Sequence, residues 1–64
     1  MYTVNTFKQS NLVASTTFFK QTEAVSYLIE KSNELSLWVS KSYDYASSEG
    51  NKPEIEIELT FSKI

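Results

Sequence analysis

The chain has no cysteine, no histidine and no arginine, and its 64 residues include a single glycine, Gly50, and a single proline, Pro53. Without cysteine or histidine there is no disulfide, no zinc site of the Cys/His type, no thiol nucleophile and no imidazole acid–base step. Without arginine the chain lacks the guanidinium fork that reads phosphates and guanine edges, so nucleic-acid binding is disfavoured. One glycine cannot build a phosphate-cradling loop, a nucleophile elbow or a dinucleotide fingerprint. Apolar runs of ~18 residues are missing, as are a basic n-region and an apolar h-region at the N-terminus. A soluble, cytoplasmic protein with no membrane partner is expected.

What is present is enough for a core. Hydrophobic residues make up 41% of the chain, nine of them aromatic if Trp38 and the four tyrosines are counted with the four phenylalanines. That composition argues for a folded chain. A chain this short buries only ~60% of its unfolded surface, so packing or self-association must replace the missing covalent staples. The expected organisation is one small domain over residues 1–64. Six lysines against eight acids give a net charge of −2.

Gly50 and Pro53 both fall in Ser47–Pro53, the clearest loop in the chain. After it, residues 54–61 alternate Glu54, Glu56, Glu58 and Thr60 with Ile55, Ile57, Leu59 and Phe61, the period of a half-buried strand. Before it, residues 35–46 also alternate, with Leu35, Leu37, Val39, Lys41, Tyr43 and Tyr45 on one side. Ser36, Trp38, Ser40, Ser42 and Asp44 lie on the other. Joined by the Gly-containing loop, the two segments read as a hairpin. Placing both apolar sets on one face requires partners whose numbers sum to an even value, for example Tyr45 opposite Ile55 and Tyr43 opposite Ile57, and hence an odd-numbered loop with a positive φ at Gly50 or Asn51.

Residues 22–32 change period. Ala24, Val25, Leu28, Ile29 and Leu35 form one helical stripe, with Thr22 as N-cap and Asn33 as a left-handed terminator. Tyr2–Lys8 and Leu12–Phe18 read as a first hairpin around Gln9-Ser10-Asn11, with Tyr2 facing Phe18, Val4 facing Thr16 and Thr6 facing Ala14. The expected fold class is α+β: a β-β-α-β-β chain forming a four-stranded, mainly antiparallel sheet with one helix packed on one face.

A single helix leaves the second sheet face open. Alternation assigns to it Thr3, Asn5, Phe7, Val13, Ser15, Thr17, Ser36, Trp38, Ser40, Ser42, Thr60 and Ser62, together with Asp44, Glu54, Glu56 and Glu58. A large rigid side chain such as Trp38 on a polar face is either a satellite of the core or an interface anchor. The glutamate stripe is either a solvated surface that resists aggregation or a landing site for a basic partner. Three glutamates repeating along an open strand lack the asymmetry that separates a catalytic acid from a base.

The reading is therefore a small non-catalytic protein–protein interaction module, of a size suited to a phage- or mobile-element-encoded inhibitor or adaptor. It holds its partner on the open face through Trp38, Asp44, Glu54, Glu56 and Glu58, or by an edge strand. No catalytic, cofactor-binding or metal-binding residue is expected. Two alternatives stand beside it: a nucleic-acid binder using Lys8, Lys20, Lys31, Lys41, Lys52 and Lys63, and a structural subunit that assembles as a homo-oligomer, a dimer in the simplest case.

Overall fold

The computed structural model describes residues 1–62. Chain order is β1 (Tyr2–Lys8), β2 (Asn11–Phe18), α1 (Gln21–Glu34), β3 (Trp38–Val39), β4 (Tyr45–Ser47) and β5 (Ile55–Phe61). The α+β class with an antiparallel sheet holds, but the sheet has five strands, in the order β2-β1-β5-β4-β3. The segment expected as one strand over 35–46 is broken into β3, a turn and β4.

That break has a local cause. Ser40 and Asp44 behave as turn residues, the Ser40 hydroxyl donating to the Asp44 carboxylate at 3.0 Å. Tyr43 takes a left-handed φ of 57°, and its N–H donates to the Ser40 carbonyl at 3.1 Å. The chain reverses, and Val39 pairs with Ala46 and Trp38 with Ser47. Alternation does not carry through a reversal, so Tyr45, Ala46 and Ser47 change face relative to the continuous-strand reading, while β5 keeps Glu56 and Glu58 on the open side.

The consequence is a register different from the expected one. Ala46 pairs with Ile57 and Tyr45 with Glu58, not with Ile55. Six residues, Glu49–Glu54, separate the paired Ser48 and Ile55, an even loop where an odd one was expected. Gly50 does supply the positive φ, at 112°. Tyr43 is exposed in the turn, and Lys41 lies in the same turn.

The first hairpin keeps its expected pairs: Tyr2 with Phe18, Val4 with Thr16 and Thr6 with Ala14. Its turn holds two residues, not three, because Gln9 and Ser10 both adopt left-handed conformations. A bulge reconciles the two registers, so that Phe7 pairs with Leu12 and Lys8 with Asn11.

Helix α1 starts a residue before Thr22. Lys20 occupies the N-cap position and makes no side-chain cap. At the far end Asn33 remains helical, and Ser36 is the left-handed residue, at φ 58°. The Leu37 N–H donates to Ser32 C=O at 2.7 Å and the Ser36 N–H to Asn33 C=O at 3.3 Å, a Schellman closure built on serine. Ala24 and Leu28 are fully buried as the stripe required, Ser32 continues that row, and Leu35 lies outside it, exposed. The buried Ser32 hydroxyl donates back to Leu28 C=O at 2.6 Å, so no polar atom is orphaned.

Val4, Ala24, Leu28, Ala46 and Ile57 form the buried centre between helix and sheet. Tyr2, Phe18, Tyr27, Leu37, Val39 and Leu59 close its margin. Two tilted ring pairs, Tyr2 with Phe61 at 4.8 Å and Phe18 with Tyr27 at 5.3 Å, extend the packing. No helix of the described residues is long and apolar enough to cross a membrane.

Candidate open-face interface

Cross-strand pairing builds the uncovered face one row at a time. Leu12, Phe7, Glu56, Ser47 and Trp38 are successive neighbours across all five strands. The next row reads Ser15, Asn5, Glu58 and Tyr45. Rows lie ~7 Å apart along the strands and neighbouring strands ~4.8 Å apart, so Glu56 and Trp38 are separated by roughly 10 Å of backbone.

Of the five residues expected to hold the partner, Trp38, Glu56 and Glu58 come together, in rows that also carry the expected Phe7, Asn5 and Ser15. Trp38 is 61% exposed, opposite Ser47 at the sheet edge. Glu56 is half-buried between Phe7 and Ser47, and Glu58 is exposed between Asn5 and Tyr45. Glu54 precedes β5, where its N–H donates to the Ser48 hydroxyl at 2.9 Å and its carbonyl accepts from Gln9 at 2.7 Å. Asp44 is held in the turn, its carboxylate engaged by Ser40 and its carbonyl accepting from Leu59 at 2.8 Å. Both stand outside the two rows. Ser36, Ser40 and Ser42 are likewise in turns or their flanks, not on the face.

The residue that alternation missed is Tyr45. It shares the face with Glu56 and Glu58, and burial raises its phenol pKa above the ordinary value of 10.0. The Ser47 hydroxyl lowers it, while the two carboxylates raise it further because a phenolate beside them would be a third negative charge. The signal that could have found it is the spacing Ser40-x3-Asp44, which is turn chemistry inside an apparently continuous strand.

The described lysines lie elsewhere. Lys8 alternates to the helix side, Lys20 precedes α1, Lys41 and Lys52 are in turns, and Lys31 pairs with Glu34 at 3.6 Å while resting over the Tyr27 ring. Lys63 lies outside the described residues. Among the described residues no group of three acids converges closely enough to hold a metal ion. An open depression of about 430 Å³ runs along the outer flank of α1, lined by Phe18, Thr22, Glu23, Ser26, Tyr27 and Glu30. It exceeds the ~300 Å³ at which ligand pockets begin, but it is a surface groove, not an enclosed site.

Compared with family models, curated proteins and solved structures, the chain matches none.

Proposed function

We propose that this chain is a non-catalytic protein-binding module that receives a basic partner on the open sheet face. The observation that carries the reading is Trp38, 61% exposed and in one cross-sheet row with Glu56. An exposed indole at a sheet edge supplies rigid apolar area with little rotamer entropy to lose, the property that makes tryptophan a frequent hot spot. Glu56 and Glu58 add negative potential that speeds encounter with a cationic surface and selects against acidic ones. Phe7, Ser47 and Tyr45 lie between and beside these groups, the mixture of apolar anchor and polar surround found in interfaces. Support for the nucleic-acid alternative is weaker, since the described lysines are scattered over turns, helix and strand end.

The test uses the chain's own probe. Trp38 is the single tryptophan, so its emission reports directly on this face. Titration with short lysine-rich peptides should shift that emission, and Glu56→Lys should abolish the shift. Affinity capture of a cellular partner by the intact chain should be lost in both Trp38→Ala and Glu56→Lys. Equal capture by all three chains sinks the reading.

A further inference from the structure

Strand β2 is a sheet edge of eight residues, Asn11–Phe18, most of them exposed. From Gln9 to Phe19 the chain holds no charged residue, no proline and no glycine. Natural edges of this length are ordinarily blunted with lysine, proline or shortening, because an unprotected edge is a template for another strand. The opposite edge, β3, is blunted in one of those ways: it is two residues long. The contrast sets β2 apart as a pairing surface.

Hydrogen-bond parity identifies which groups it offers. Met1 and Ser62 exchange both backbone bonds, at 2.8 and 2.9 Å, and the Gln9 N–H reaches Glu54 at 2.7 Å. Odd-numbered residues of β1 therefore bond toward β5 and even-numbered ones toward β2. Ala14, Thr16 and Phe18, opposite those even positions, turn their N–H and C=O inward to β1. Ser15 and Thr17 turn theirs outward, where no strand stands beside them.

We propose that the β2 edge pairs antiparallel with the β2 edge of a second copy of this chain, about a two-fold axis perpendicular to the sheet. The strand is self-complementary. Centred on Thr16, the two-fold sets Ser15 against Thr17 of the second copy, outward groups meeting outward groups in hydrogen-bonded pairs. Hydroxyl side chains face hydroxyl side chains across the junction, a favourable cross-strand combination. An uncharged strand meets its own image without like charges, whereas a charged strand would oppose itself. Because β3 is too short to accept β2 of another copy, the contact is isologous and closes as a dimer, not a filament. The perpendicular axis keeps both helices on one side and joins the two open faces into one continuous surface that presents Trp38, Glu56 and Glu58 twice. This pairing does not depend on what the open face binds.

Sedimentation equilibrium on the intact chain from micromolar to near-millimolar concentration should show the mass rising from the 7.3 kDa of one chain toward twice that value. Over the same range, hydrogen exchange should show the Ser15 and Thr17 amides passing from unprotected to protected. A chain carrying Ser15→Lys and Thr17→Lys should remain monomeric, and so should one carrying Ser15→Glu and Thr17→Glu. Mixing the two should restore the doubled mass, which separates lost pairing from lost folding. The proposal is overturned by a single-chain mass throughout with those amides exchanging freely. It is equally overturned by a dimer in which they stay unprotected. Trp38→Ala should leave the dimer intact, so failure here and failure of the open-face reading are read out separately.

Discussion

Ala46 stands opposite Ile57, neither with any exposed surface, and this pairing turns the neighbouring Tyr45 onto the face of Glu58. The small side chain at 46 lets α1 approach β4, while Ile57 joins Val4 of the neighbouring strand and Leu28 of the helix in the same buried cluster.

Truncating the larger partner should be costly. Ile57→Ala removes three buried carbons from a small core and should lower unfolding free energy by about 2–5 kcal/mol, the range for such cavities. Urea denaturation followed by Trp38 emission measures it, and a loss below about 1 kcal/mol would mean that the site collapses without penalty.

Three turns among the described residues hold non-glycine residues in left-handed conformations, and relieving two of them should stabilise the fold. Ser36, at φ 58°, closes the helix, and Ser10, at φ 66°, follows Gln9 in the first hairpin. Ser36→Gly and Ser10→Gly should each raise stability by about 0.5–1 kcal/mol, since the left-handed penalty for an L residue is ~1–2 kcal/mol and glycine's greater unfolded entropy offsets part of it. Thermal unfolding midpoints should rise for both.

Ser32 should tolerate alanine and not aspartate. Its hydroxyl donates to a Leu28 carbonyl at 2.6 Å, a carbonyl that belongs to the helical ladder as well, so Ser32→Ala leaves no orphaned donor. The expected change is within about 1 kcal/mol. Ser32→Asp buries a carboxylate at a fully buried helix position beside Leu28 and should unfold most of the population at neutral pH, as circular dichroism would record.

Tyr45 should make the fold sensitive to alkali. A phenol whose folded-state pKa lies above its unfolded value of 10.0 binds its proton more tightly in the folded chain. Its contribution to stability is therefore complete below that pH and disappears as pH climbs through the higher folded value. Tyr45→Phe should flatten the decline of the unfolding midpoint in that alkaline window. Identical slopes in the two chains would remove Tyr45 as its source.

Trp38→Ala should change stability by no more than about 0.5 kcal/mol, because the indole is mostly in water and such substitutions have little effect on folding. That result, measured by urea denaturation monitored with circular dichroism, makes any loss of partner binding in the variant a loss of contact and not of fold.

Local chemistry decided much of this protein. The alternation over Ile55–Phe61, the helical stripe through Ala24 and Leu28, the turn at Gly50 and the pairing of Tyr2 with Phe18 all follow from side-chain period and turn residues acting within a few positions. Trp38, Glu56 and Glu58 were assignable to the open face for the same reason. Only the tertiary structure decided the chain's path between Trp38 and Ser47. There Ser40, Tyr43 and Asp44 fit two periods equally well, that of a long strand and that of a turn between two short ones. Burying Ala46 against Ile57 beneath the helix selects the second, and with it the place of Tyr45 and the removal of Asp44 from the acidic row. Edge strands are likewise invisible to periodicity, because strand order is set by which pairings bury Val4 and Ile57 together at the sheet centre. That arrangement puts β1 beside β5 and leaves the uncharged β2 paired on one side only, with β1.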